Sequence, residues 1–144
     1  MAPLVAPVLD NYAIPPWNLP RYLYFVEHAQ SQAYKNNHGD FEAADLSTGL
    51  RGPTHVHRLI SKHVNWANRD SSPFISTFAS ETHAVNWARQ RLGPARIHEI
   101  DTEELYDPDY WVFYARDFTP SCFECEFLFF QAIPGHAIVS TASK

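Results

Sequence analysis

The chain has 144 residues, 45% of them hydrophobic, which is enough for one domain with a sizeable core and too apolar for a disordered segment. Sixteen acidic against eleven basic residues give a formal charge of −5, with no run of Lys or Arg. A nucleic-acid backbone demands a basic face, so DNA and RNA are not expected partners, and no apolar stretch approaches the ~20 residues of a membrane span.

Residues 1–20 carry five prolines (Pro3, Pro7, Pro15, Pro16 and Pro20) and read as an extended arm, with residues 21–144 as a single domain. Tyr12, Ile14 and Trp17 are expected to pack on that domain, because leaving them in water is costly. The opening MAPLVAPVL lacks a basic n-region and a long apolar core, so it does not read as a signal peptide. With only two cysteines, the default expectation is the reducing cytoplasm.

Arg21 to Val26 is rich in aromatics and predicts a strand. Residues 29–49 are polar, with Asn36-Asn37, Gly39-Asp40 and Ser47-Thr48-Gly49, and read as a long loop with a short helical piece at most. Pro53 can open a helix to about Asn68, with Val56, Leu59, Ile60, His63, Val64 and Ala67 on one face. Phe74 to Phe78 reads as a buried strand, and Ser80 as the cap of a helix that runs to about Leu92 and stops at Gly93-Pro94. Further strands are expected over Arg96–Asp101, Tyr110–Ala115, Cys122–Gln131 and Ala137–Ser140. A capped turn is expected at Asp101-Thr102-Glu103-Glu104. The mix is α+β.

Several constellations carry chemistry or its bland counterpart. His55-Val56-His57 with His63 has metal-ligand residue types, but residues i and i+2 of a helix diverge, so capping or surface roles are the expectation and no metal is assigned. Cys122 and Cys125 have CxxC spacing, yet on a strand their thiols would point to opposite faces, which reads as structural. Trp66 and Trp87 read as core residues of the two helices. Ser76 and Thr77 end a strand with two hydroxyls. Glu126 precedes Phe127-Leu128-Phe129-Phe130, so its strand reads as interior, where a carboxylate needs a partner or a cleft. Glu124, two residues earlier, would share its face on such a strand.

The segments PRYLYFV, LSTGLRG, HVNWANRDSSPFISTFASETHAVNWA, IHEID and EFLFFQAIPGHAI resemble a small fungal domain of the ADP-ribosyltransferase-like fold. The resemblance covers nearly all of the chain after Pro20. It implies split antiparallel sheets with two or more flanking helices, an opening strand that contacts NAD, a central strand with a Ser/Thr pair and a late strand with a Glu. Ser76 and Thr77 match the middle motif, which supports the nicotinamide pocket, and Glu126 matches the late Glu, which steadies the oxocarbenium-like charge as nicotinamide leaves. Glu124 takes the place of an upstream Glu that helps hold an acceptor.

The first strand departs from the pattern. Relatives read roughly Leu-Phe-Arg-Val, whereas this chain has Leu23-Tyr24-Phe25-Val26, so Phe25 stands where the NAD-gripping Arg is expected. Arg21 and Tyr24, with Ser76 and Thr77, are then the assigned NAD contacts, and His28 would reach the cleft only from a bulged strand. The implied activity is NAD-dependent ADP-ribosyl transfer or NAD glycohydrolysis with an altered cofactor grip, on a small-molecule or protein acceptor. The alternatives are a catalytically inactive binding module on the same fold, or an enzyme that acts on a small metabolite in the same cleft with Glu126 as acid or base.

Overall fold

The computed structural model describes residues 12–65, 68, 70–105 and 110–144. The elements run β1 (Tyr22–His28), β2 (Ala33–Lys35), β3 (Phe41–Ala43), α1 (Pro53–Val64), β4 (Phe74–Phe78), α2 (Glu81–Arg89), β5 (Ala95–Asp101), β6 (Val112–Tyr114), β7 (Glu126–Phe130), β8 (Ala132–Ile133) and β9 (Ile138–Ser143). They form an antiparallel six-stranded sheet in the order β6-β7-β4-β1-β5-β9 and a small antiparallel sheet β2-β3-β8. Two α-helices complete an α+β domain among the described residues.

Strand alternation sorts the six-stranded sheet into two faces. Leu23, Phe25, Ile75, Ile100 and Phe129 point to one side, where Ala33, Phe41, Ala43 and Ile133 of the small sheet cover them. On the other side Phe74, Leu128 and Phe130 pack under Val56 and Ile60 of α1, while Tyr24, Val26 and Phe78 pack under Ala84 and Ala88 of α2. The result is three layers with β1 and β4 at the middle. α1 has no side-chain N-cap bond, since Gly52 precedes it. A missing cap costs ~1 kcal/mol, whereas each fully buried aliphatic side chain contributes ~1.5–3 kcal/mol, so Val56, Ile60 and Val64 decide the matter. In α2 the Ser80 hydroxyl does cap, accepting the His83 backbone N–H at 3.1 Å.

β1 and β5 pair along their whole length, from Tyr22 opposite Asp101 to His28 opposite Ala95. β1 and β4 meet only where Tyr24 lies opposite Phe78. The large sheet is therefore two three-stranded halves hinged on one residue pair, and the halves part beyond it.

Several expectations change. The span 29–49 is not a plain loop, because it holds the β2–β3 hairpin, whose turn is closed by Asn36 Oδ1 accepting from the N–H groups of His38 (2.9 Å) and Asp40 (3.0 Å). Its strands are three residues each, too short for alternation to show. Beneath that turn Gly135 donates its N–H to Asp40 Oδ1 at 2.7 Å, and a Cβ there would lie 2.8 Å from the carbonyl carbon of Gly39. α1 ends at Val64 with Asn65 already extended, and Trp66 and Ala67 lie outside the described residues. α2 stops at Arg89. β7 begins at Glu126, so Cys122–Cys125 form the approach to the strand, and the reasoning about thiols on opposite strand faces does not apply. In the arm, Ile14 bridges to Val112 and Tyr12 lies against Phe118, but Trp17 is 82% exposed in a short 3-10 turn that buries no residue. Residues 1–11 lie outside the described residues.

Candidate functional site

Where the two halves of the sheet part, a cleft of about 280 Å³ opens along the seam, bordered by Phe25 and Ile75 on the small-sheet side and otherwise lined from the helical face and the adjoining loops. Val26 and His28 line it from β1, Ser76 and Phe78 from β4, His63 and Val64 from the end of α1, Trp87 from α2, and Glu126 from the start of β7. Register explains the floor. Phe78 lies opposite Glu126 and Ser76 opposite Leu128, so Ser76 and Glu126 are diagonal neighbours on one face. The Ser76 hydroxyl donates to Glu126 Oε2 at 2.6 Å, and the Phe123 N–H approaches Glu126 Oε1 at 3.4 Å.

His63 comes down on the same hydroxyl from α1. Its Nε2 is 2.8 Å from Ser76 Oγ and its Nδ1 is 2.5 Å from Ser72 Oγ. Ser72 is fixed in turn, because its oxygen accepts the Phe74 N–H at 3.1 Å. Four side chains from α1, the segment before β4, β4 and β7 thus form one line of hydrogen bonds: Ser72, His63, Ser76, Glu126. Burial drives the His63 pKa down to about 4, so the imidazole is neutral at physiological pH. Burial also raises the Glu126 pKa, opposed by the Ser76 hydroxyl and the Phe123 N–H, which favour the ionised carboxylate. A buried carboxylate with one hydroxyl donor at a cleft floor is suited to charge stabilisation or proton exchange with a ligand.

The other end of the cleft holds cationic types. Arg91, just past α2, lies with its guanidinium 3.9 Å from the centre of the Trp87 ring and lines the cleft opposite His28. The His28 pKa is lowered, first by burial and then by the charge of Arg91. Trp87 is half-buried and forms cleft wall with Phe78 and Phe123 rather than closed core.

The structure brings Ser76 and Glu126 together and leaves the other assigned residues apart. Thr77 points to the small-sheet face, fully buried, and donates to the Phe127 carbonyl at 2.8 Å. Glu124 sits exposed in the turn before β7, off the strand, so the shared face with Glu126 does not exist. Arg21 lies at the far end of β1, donating to Asp101 Oδ1 at 2.8 Å and pairing with Glu103. Tyr24 is buried under α2 with its hydroxyl 3.2 Å from Glu99, away from the cleft lining. The Phe25 ring packs toward the small sheet, 4.9 Å from Phe41 and 5.7 Å from His98, and borders the cleft from that side. His28 reaches the cleft without any bulge, because it shares the parity of Val26. His55 accepts the Arg51 N–H and His57 bonds the Phe118 carbonyl, so the three α1 histidines have separate partners. Among the described residues, no group of three or more His, Cys, Asp or Glu is placed to share a metal ion. Sequence reasoning missed His63 and Arg91 as cleft residues. The one available signal for His63 was its place on the apolar face of α1.

The fold and the cleft define an α+β domain with a buried carboxylate at the seam of a split sheet. The chain belongs to the family described as Domain of unknown function (DUF7587), which matches residues 18–144. No curated protein and no solved structure matches it. No helix among the described residues is long and apolar enough to cross a membrane.

Proposed function

We propose that the protein is an NAD-dependent ADP-ribosyltransferase or NAD glycohydrolase of the ADP-ribosyltransferase-like fold, with its cofactor grip moved off the first strand. The observation that carries this reading is Glu126 at the floor of the seam cleft, held by the Ser76 hydroxyl at 2.6 Å. The hinged sheet supports it as well, since the order opening strand, Ser-bearing strand, Glu-bearing strand runs side by side as β1-β4-β7.

In the reaction the C–N bond between ribose and nicotinamide breaks, and the electron pair leaves with nicotinamide. The ribose C1′ becomes oxocarbenium-like, and the ionised Glu126 carboxylate stabilises that charge in a largely dry site. Water or a protein nucleophile then forms the new bond at C1′ and gives up its proton to Glu126 or solvent. Trp87, Phe78 and Phe123 supply flat apolar wall for a ring. Arg91 takes over the phosphate-gripping task that β1 lacks, since a guanidinium suits phosphate oxygens.

The test is incubation of the purified protein with NAD, followed by chromatography for free nicotinamide and calorimetry for binding. Nicotinamide release that depends on Glu126 supports the proposal. The absence of both nicotinamide release and heat of binding at millimolar NAD rejects it. A second reading, a binding module without catalysis, is favoured by one fact: β1 lines the cleft with Phe25, Val26 and a His28 whose protonation is disfavoured, none of them a fixed cation. NAD binding without nicotinamide release would select that reading.

A further inference from the structure

The hydrogens along the Ser72–His63–Ser76–Glu126 line can be assigned by following the donors from both ends. Ser76 gives its hydroxyl hydrogen to Glu126 Oε2, so its oxygen is left to accept. The neighbour at 2.8 Å is His63 Nε2, which must then carry the hydrogen and donate. A neutral imidazole with Nε2–H presents a bare Nδ1, which accepts. Ser72 Oγ, 2.5 Å from Nδ1, already accepts from the Phe74 N–H and so has its hydroxyl hydrogen to give. Every donor points toward Glu126, and no step conflicts.

We propose that His63 is a positioning residue for Glu126: its Nε2–H tautomer, locked by Ser72, fixes the Ser76 hydroxyl on the carboxylate and thereby sets the charge state of the cleft floor. With His63 in place, the Ser76 oxygen is occupied and its hydrogen has one acceptor direction. Without His63, the hydroxyl is free to rotate, and Glu126 loses a preorganised donor to its ionised form. The other titratable groups facing Glu126 are Cys122 and Cys125 from the turn before β7. His83 packs on Phe123 from α2, and His28, Asp70 and Arg91 line the cleft further out. Among the described residues none of these has a hydrogen bond to the Ser76 hydroxyl, so His63 is the neighbour that directs it. The functional consequence rests on the reading of Glu126 as the reacting carboxylate, but the hydrogen-bond assignment does not.

The test uses the full chain without any ligand. Nitrogen-15 NMR of the His63 ring reads the tautomer, and carbon-13 NMR of the Glu126 carboxyl reads its titration in wild type, His63→Leu and His63→Gln. The expected result is an Nε2–H tautomer and an upward shift of the Glu126 titration by about one pH unit in His63→Leu. His63→Gln, whose amide N–H can replace Nε2–H, should restore most of the shift. An Nδ1–H tautomer in wild type overturns the proposal. So does a Glu126 titration that is the same in all three proteins, or one equally shifted in Leu and Gln variants, which would mark a packing role only. Ser76→Ala, read the same way, keeps the test alive if His63→Leu does not fold, since it removes the same donor and should raise the Glu126 titration. Because NAD is absent throughout, failure here is separable from failure of the NAD reading.

Discussion

Acidification should unfold this protein partly through His63, and the size of the effect follows from its burial. The ring titrates at about 4 in the folded state, against 6.5 for an unperturbed histidine. Between those values the unfolded chain binds a proton that the folded state refuses. Unfolding free energy therefore falls as pH drops from ~6.5 to ~4, by at most ~1.4 kcal/mol per pH unit and roughly 3 kcal/mol in all. Glu126 works in the opposite sense, because its folded pKa is raised. Its stabilising contribution is present below the ordinary carboxylate range and is lost as pH rises through the folded value. A single wild-type profile thus mixes the two. His63→Gln removes one of them and leaves His28, His55 and His83, all shifted down by burial, to act equally in both proteins. Urea unfolding followed by circular dichroism from pH 4.5 to 7.5 should give a shallower acid loss for His63→Gln than for wild type. Parallel profiles for the two proteins, with unchanged m-values, would refute the reasoning.

Glu126→Gln should keep the thermal midpoint within a few degrees and lower nicotinamide release by roughly 100- to 1,000-fold, measured by chromatography, as loss of a preorganised charge in an active site does. Glu124→Gln, at an exposed turn position, should leave that rate unchanged in the same assay. Arg91→Ala should weaken NAD binding by roughly 10- to 100-fold in calorimetry, the worth of a charge-assisted hydrogen bond, whereas Arg21→Ala at the far end of β1 should not change it. Gly135→Ala should lower stability by ~1–3 kcal/mol in urea unfolding, because the new methyl meets the backbone of Gly39 rather than a side chain that can move.

Where the sequence carried a long period or a strong punctuation mark, it could be read. Phe74–Phe78 is β-branched and aromatic between Pro73 and a capping Ser80, and it is the strand expected. β1 and β5 fall within a residue or two of the segments read for them. The β2–β3 hairpin was hidden because its strands are three residues long and stabilised by Phe41 and Ala43 packing under distant β1 and β4. The start of β7 was misplaced for a related reason. Cys122-Phe-Glu-Cys alternates like a strand, but those residues wrap around Glu126, with the Tyr114 hydroxyl donating to the Glu124 carbonyl at 2.7 Å. His63 looked like one more residue on an apolar helix face. Its chemistry depends on the fold bringing Ser72 and Ser76 beneath it, contacts that no local pattern encodes.

The parity of β1 bears on how the departure at Phe25 should be understood. Ser76, Phe78 and Glu126 face the helices, and on β1 the residues that share that face are Tyr24, Val26 and His28. Phe25 faces the small sheet, wedged between Phe41 and His98. An arginine at position 25 would start in that apolar layer, at the border of the cleft rather than on its helical face. On its helical face β1 presents Val26 and, at its end, the polar His28 to the cleft. That face also carries the hydrogen bond between Ser76 and Glu126 at the floor. Among the described residues that line the cleft, Arg91 is the one Arg or Lys, with its guanidinium 3.9 Å from the centre of the Trp87 ring just past α2.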